Sequence, residues 1–355
     1  MNVLLIEPEY HRVNVPLSLM KFSSYHKAKG DTVKYVRSNN VSLLKDFNAD
    51  KVYITSLFTW DVDKVILAAN SAKYAFPKAD ISIGGICATL MADKIEKETG
   101  LKVHKGLVMD VENVRPDYSL FPEIDYSLSF TTRGCVRKCP WCMVSRNEPN
   151  YFEIKNWENQ LDLTKDKIIL MDNNFLACTD EHFKNVTEQL QKYNKKVDFN
   201  QALDARLLTR ERAQELAKIR FDPLRFAFDT TPVEPAVRQA VNWMKEFGFP
   251  ANKITIFVLY NFHDTIEDAT RRCKIIQDEL GAVPYAMRFK PLDSLDNSEY
   301  IGEHWTEKDI DKFRSYWNRT TISKSCTYEE YDPKKAKEHR PMKLMKGQRG
   351  IDEYK

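Results

Sequence analysis

The sequence predicts an α/β protein: a doubly wound open sheet, then a partial barrel of six β/α units, then a helical tail. Short apolar runs of strand length alternate with amphipathic stretches along most of the chain. Arg115-Pro116-Asp117 interrupts that alternation and sets the boundary between two series. The segments are therefore 1–115, 116–300 and 301–355.

In the first segment, strands are expected at 3–6, 32–36, 52–55, 81–83 and 101–104. Pro16 should open a helix that Gly30 closes, since proline suits a helix start and glycine its end. Further helices are expected at 62–75 and 91–98. In the second segment the strand candidates are 127–131, 168–171, 198–201, 225–228, 254–259 and 285–289. Phe183, Val186, Leu190 and Tyr193 recur at helical spacing, with Asp180 as N-cap. Val237, Ala240, Val241, Met244 and Phe247 form a second stripe, ended by Gly248. Ala269, Cys273, Ile276 and Leu280 form a third, ended by Gly281.

Composition narrows the function classes. Charged residues make up 30% and hydrophobic residues 43%, ordinary for a globular chain. The longest apolar runs, such as Ile254–Tyr260, fall short of the ~18 residues that span a bilayer, so no membrane partner is expected. The N-terminus carries no signal-peptide pattern, and a cytoplasmic location is the expectation. Net charge is +3. Residues 331–355 hold eight Lys or Arg against four Asp or Glu, so the basic excess lies in the tail. Such a tail is either a solvated end or an electrostatic handle for nucleic acid or an acidic partner.

The seven cysteines are 87, 135, 139, 142, 178, 273 and 326. An odd number in a long chain, with three inside eight residues, is not a disulfide framework. The three sit in Thr131-Thr132-Arg133-Gly134-Cys135-Val136-Arg137-Lys138-Cys139-Pro140-Trp141-Cys142, directly after the first strand of the second series. The spacing is C-x3-C-x2-C. Three thiolates satisfy three irons of a four-iron cluster and leave the fourth open to a small molecule, whereas fully ligated clusters use four. Arg133, Arg137 and Lys138 are expected to favour the thiolate. Structural zinc would need a fourth ligand, and His104 and His182 lie roughly 30 to 40 residues away.

This triplet, with an aromatic before its third cysteine and a strand before its first, resembles the signature of the radical S-adenosylmethionine superfamily. The six β/α units after Tyr126 match that family's partial barrel in order and spacing. Residues 1–115 resemble the flavodoxin-like, cobalamin-binding-type domain that precedes the barrel in one branch, and Pro116-Asp117-Tyr118 resembles the end of that branch's linker.

The resemblance implies that Cys135, Cys139 and Cys142 ligate a 4Fe-4S cluster whose open iron chelates S-adenosylmethionine. Reductive cleavage then gives a 5'-deoxyadenosyl radical that takes hydrogen from a substrate, which is a small molecule, a peptide or a nucleic acid. The electron comes from a one-electron reductant such as flavodoxin or ferredoxin. Trp141 would lie near the adenine. Asp172-Asn173-Asn174 departs from the commoner Gly-Gly-Glu but resembles the Asp-Asp-Asn of the cobalamin-type branch, placing Asp172 and Asn174 toward the methionine group. Gln201 and Arg206 follow the third strand, and Arg206 suits a carboxylate. Asp229 ends the fourth strand at the level of the ribose.

Cobalamin stays open at this point. The loop Glu9-Tyr10-His11-Arg12-Val13-Asn14 only weakly echoes Asp-x-His-x-x-Gly, while Gly84 and Gly85 match the glycine pair beneath the cofactor tail. With cobalamin, methyl transfer is implied, which makes the chain a transferase. Without it, the implied reactions are hydrogen abstraction with rearrangement, epimerisation or oxidation. Cys273 and Cys87 read as buried apolar residues, Cys178 as a neighbour of the site, and Cys326 as a candidate hydrogen donor. A different class altogether is a non-catalytic metal-binding adaptor recruited through the basic tail.

Overall fold

Val3, Leu4, Leu5 and Ile6 are all at 0% exposure in strand β1 (Asn2–Glu7), so the run is apolar on both faces as a central parallel strand must be. The computed structural model describes residues 1–10, 15–296, 300–323 and 325–334. It is α/β with parallel sheets, and the chain divides into two units. Among the described residues no helix is long and apolar enough to cross a membrane.

The first unit comprises Met1–Gln201 and Pro291–Tyr300. Its larger sheet adds β2 (Thr32–Arg37), β3 (Lys51–Ser56) and β4 (Asp80–Gly85) in the parallel order β2-β1-β3-β4. Helix α1 (Leu17–Ala28) starts after Pro16 and ends at Gly30, which takes φ +79°, as expected. Helix α2 (Val62–Ala75) buries Val62, Val65, Ile66, Ala69 and Ala72 against the core of the sheet. The expected fifth strand at 101–104 is reduced to one bridge, Ile83 to Val103, because the chain turns away at Gly106 (φ +82°). The expected helix at 91–98 is α4 (Ala92–Thr99), and a short helix that was not expected, α3 (Ile86–Leu90), precedes it.

The same unit holds β5 (Tyr126–Ser129), β6 (Thr132–Arg133), helix α5 (Val144–Asn147), β7 (Phe152–Glu153), β8 (Lys167–Leu170), helix α6 (Asp180–Tyr193) and β9 (Lys196–Phe199). β5-β8-β9 form a parallel sheet, and β6 pairs with β7 antiparallel. The N-cap of α6 is Thr179, whose hydroxyl accepts from the His182 N–H. Asp180 is instead the first helical residue, where its charge complements the helix dipole.

The second unit comprises Ala202–Lys290 and the chain from Ile301. It contains helix α7 (Arg210–Leu216), β10 (Leu224–Ala227), α8 (Glu234–Glu246), β11 (Ile254–Tyr260), α9 (Ile266–Lys274), β12 (Val283–Arg288), α10 (Glu307–Trp317) and α11 (Thr320–Ser323). β10-β11-β12 are parallel. Val237, Ala240, Val241 and Met244 form the buried stripe of α8, with Gly248 beyond its end at φ +83°. Helix α9 continues as a π-turn over Ile275–Glu279 before Gly281. In the tail, Thr306 and Asp309 form a reciprocal capping box on α10, and Trp305, Phe313, Tyr316 and Trp317 are buried. Most of the basic segment, 335–355, lies outside the described residues, as does His11.

A buried lysine ties the first unit together. Lys21 of α1 is 3% exposed and donates to the carbonyl of Glu112 and to Gln160 Oε1 at 3.0 Å. Burial lowers its pKa to about 8, with Glu112 pulling it back up and Arg133 adding to the fall. Because the folded pKa lies below the unfolded value of 10.5, the unfolded chain holds more protons between pH 8 and 10.5. Stability from this group therefore rises with pH across that window and is constant below it. The wild-type chain should gain about 3 kcal/mol relative to Lys21→Met between pH 7.5 and 10.5. Paired urea titrations at the two pH values measure this, and parallel pH responses would refute it.

Candidate functional site

The cysteine segment leaves β5 as a loop whose start is held by three buried groups. Asp172, just beyond β8 and 2% exposed, accepts from the Thr131 N–H at 3.0 Å and hydroxyl at 2.6 Å, and from the Thr132 N–H at 2.5 Å and hydroxyl at 2.7 Å, all on Oδ1. Burial raises its carboxyl pKa, and these hydrogen bonds oppose the rise. Glu148, after α5 and 8% exposed, accepts from the Gly134 N–H at 2.9 Å and from Asn173 Nδ2 at 2.8 Å, both on Oε2. Its other oxygen pairs with Arg133 at 3.3 Å. Arg133 also pairs with Glu112 at 3.2 Å and lies 3.8 Å above the Phe130 ring.

Arg133 therefore serves two carboxylates from a position 7% exposed. Gly134 takes φ +73°, and a Cβ there would meet the Asn150 oxygen at 2.2 Å, so only glycine fits immediately before Cys135.

Cys135, Cys139 and Cys142 are each half-buried on this one loop, and none is in a disulfide. Cys135 Sγ accepts the Arg137 N–H at 3.3 Å and Asn174 Nδ2 at 3.4 Å. The Cys142 N–H bonds the Cys139 carbonyl at 3.0 Å, giving the second half of the loop a tight turn. Trp141 is half-buried between them. Among the described residues no three His, Cys, Asp or Glu side chains group as a metal ion would need. A cubane's ligands are held apart by the width of the cluster, so such a grouping is not what that donor set requires. In donor type, number and partial burial, the three thiols fit three corners of a cubane.

The other sequence-predicted residues divide between the units. Asn174 is 2% exposed and meets the loop through Cys135, while Asp172 meets it through Thr131 and Thr132. Gln201 is exposed in a turn two residues past β9, which begins and ends earlier than expected. In the second unit, Arg206 forms a two-pronged pair with Asp204 at 2.6 and 3.0 Å. Asp229 follows β10, and burial raises its carboxyl pKa to about 6 against the pull of Arg272. Cys326 is half-buried after α11, and its thiol faces the Ile322 carbonyl at 3.8 Å. Cys87 and Cys273 are fully buried, and burial raises both thiols, Cys87 to about 12. Cys178 is 5% exposed.

At the carboxyl ends of β1, β3 and β4, the glycine pair has local duties. Gly85 takes φ +110°, and a Cβ there would lie 2.2 Å from the Ser56 oxygen. Ser56 Oγ donates to the Gly84 carbonyl at 2.9 Å and accepts the Ala88 N–H at 2.8 Å. Gly84 has room for a Cβ, its nearest neighbour being His104 at 3.8 Å. Tyr10, buried and bonded to the Thr55 carbonyl at 2.9 Å, packs edge-on to Phe58, which stacks on Trp60 at 4.7 Å. Backbone contact within the sheet explains Gly85, and aromatic side chains pack beside the strand ends.

Glu112, Glu148, Asn173, Thr131 and Thr132 support the loop and were not singled out from sequence. Periodicity cannot reveal them, because each acts through a partner distant in the chain. A scan of the chain against protein-family models gives no match, and no curated protein matches it.

Proposed function

We propose that this chain is a cytoplasmic radical S-adenosylmethionine enzyme in which Cys135, Cys139 and Cys142 hold a 4Fe-4S cluster. When bound, the cluster supplies the electron that cleaves the sulfonium to a 5'-deoxyadenosyl radical for hydrogen abstraction. That electron comes from a carrier such as flavodoxin or ferredoxin.

The observation that carries this reading is the support built around one thiol. Cys135 Sγ receives two N–H groups, and the residue before it is clamped by buried Glu148. A sulfur that accepts two donors is prepared for negative charge. Glu148 and Asp172 hold the loop backbone, and buried Arg133 stacks on the half-buried Phe130 ring.

The finer fold we propose is a partial (β/α)6 barrel over 116–300, after a cobalamin-binding-type doubly wound sheet over 1–115 and before a tail over 301–355. Its support is that β5-β8-β9 and β10-β11-β12 are both parallel, with helices between successive strands from β8 onward. The duties of Gly85 and Ser56 favour the subclass that works without corrinoid, by hydrogen abstraction, over cobalamin-dependent methyl transfer.

Anaerobic reconstitution tests the proposal. The wild-type chain should take up about four irons with matching sulfide. It should release 5'-deoxyadenosine from S-adenosylmethionine on addition of dithionite, and retain no cobalamin after desalting. With Cys135, Cys139 and Cys142 all changed to alanine, release should fall by more than about a hundredfold. Equal iron and sulfide in the two proteins would end the proposal.

A further inference from the structure

Asn173 and Asn174 are adjacent in sequence but hold different parts of the cysteine loop. Asn173 Nδ2 donates to Glu148 Oε2 at 2.8 Å, the same oxygen that takes the Gly134 N–H. Asn174 Nδ2 donates to Cys135 Sγ at 3.4 Å. The Asn174 backbone is fixed as well. It precedes a 3-10 turn over Phe175–Ala177, its carbonyl accepts the Ala177 N–H at 3.2 Å, and Phe175 and Leu176 are buried at 0% and 1%. With the residue itself 2% exposed, the amide is held toward the sulfur with little freedom to turn away.

We infer that Asn174 tunes the reduction potential of the cluster through its N–H···S bond to Cys135. The inference rests on the reading of this loop as a cluster site. Hydrogen bonds to ligand sulfurs are among the factors that set an iron–sulfur potential. Reduction adds negative charge that the thiolates share, and a donor on the sulfur stabilises that charge. The Arg137 N–H makes the same kind of bond at 3.3 Å, but it is backbone and common to any side chain at 137. Asn174 is the donor that substitution can remove. Its role is positioning and electrostatic, with no contact to substrate needed.

The test is an EPR-monitored redox titration of the reconstituted full chain, wild type against Asn174→Leu. Leucine removes the donor, and the midpoint should become more negative. At a potential that half-reduces the wild type, the ratio of reduced to oxidised cluster should fall at least threefold. Asn174→Asp keeps the shape but replaces the donor with an acceptor, and should shift the midpoint in the same direction.

A purely packing role predicts lower iron content or stability with the midpoint unmoved, and that result overturns the inference while leaving the cluster reading intact. Absence of iron uptake by the wild type defeats the cluster reading itself. If neither variant takes up iron, the wild-type chain labelled with 15N in its asparagine side chains decides. Pulsed EPR of the reduced cluster should show a 15N coupling, and its absence overturns the inference.

Discussion

Gly134→Ala is expected to leave the chain folded yet cut its iron and sulfide uptake to less than about a tenth of the wild-type level, since metal sites need ligand placement within about 0.5 Å. Gly134 sits at φ +73°, where an L side chain costs about 1–2 kcal/mol. That strain alone would be tolerable. The decisive term is steric, because the added Cβ would lie 2.2 Å from the Asn150 oxygen, 2.8 Å from its carbonyl carbon and 3.1 Å from the Glu148 oxygen. These are backbone atoms, so relief requires the chain itself to move, and the next residue is Cys135.

The bond from the Gly134 N–H to Glu148 would lengthen with that movement. Gly30→Ala is the control. Gly30 also has positive φ, +79°, but nothing lies within 4 Å of its added Cβ, so it carries the strain without the clash. Its iron uptake should match the wild type. Far-UV circular dichroism and iron and sulfide assays on both variants make the comparison. Full uptake by Gly134→Ala would show that the glycine does not fix the thiols.

How much of this was readable beforehand depended on sequence distance. The cysteine triplet was visible because its chemistry is local: three thiols in eight residues declare themselves at any fold. The alternation of strands and helices was visible because a buried parallel strand reads as an apolar run, as β1 and β11 do. Residues 101–104 show the limit of that signal. Leu101 and Val103 have strand-like character, but Gly106 turns the chain after a single bridge.

The supporting residues were unreadable for a different reason. Glu112, Arg133 and Glu148 form one charge network, buried at Arg133 and Glu148, from segments 15 to 21 residues apart, and such partners leave no period. Asn174 was singled out through a resemblance rather than through any period, and its amide meets a cysteine sulfur 39 residues away. Arg272 had a usable signal. It lies between Ala269, Cys273 and Ile276 on a buried stripe, where a cation must find partners.

Arg272→Met is expected to destabilise the second unit by about 3–5 kcal/mol, the usual cost of removing one member of a buried ion pair. The guanidinium is at 0% exposure and its donors are engaged on every side. Nη1 reaches the carbonyls of Phe228 and Asp229 at 3.0 Å and of Leu259 at 2.9 Å. Nη2 meets Asp264 at 2.7 Å, and Nε meets Asp268 at 3.1 Å. One side chain thus ties the chain just past β10 to the end of β11 and to the loop and helix that follow.

Methionine would fill much of the volume but strand two carboxylates and three carbonyls without this donor. Lysine would restore the charge but not the planar fork, so Arg272→Lys should recover only part of the loss. Hydrogen exchange on the full chain reads the effect. Amides of β10 and β11 should lose at least about a hundredfold in protection in Arg272→Met, since each 1.4 kcal/mol is a factor of ten. Asp229 supplies a second readout. Its carboxyl already stands at about 6 because burial outweighs the pull of Arg272, so removing that cation should raise it further. Unchanged protection, or an Asp229 that titrates lower, would show that the strand ends are held by something other than Arg272.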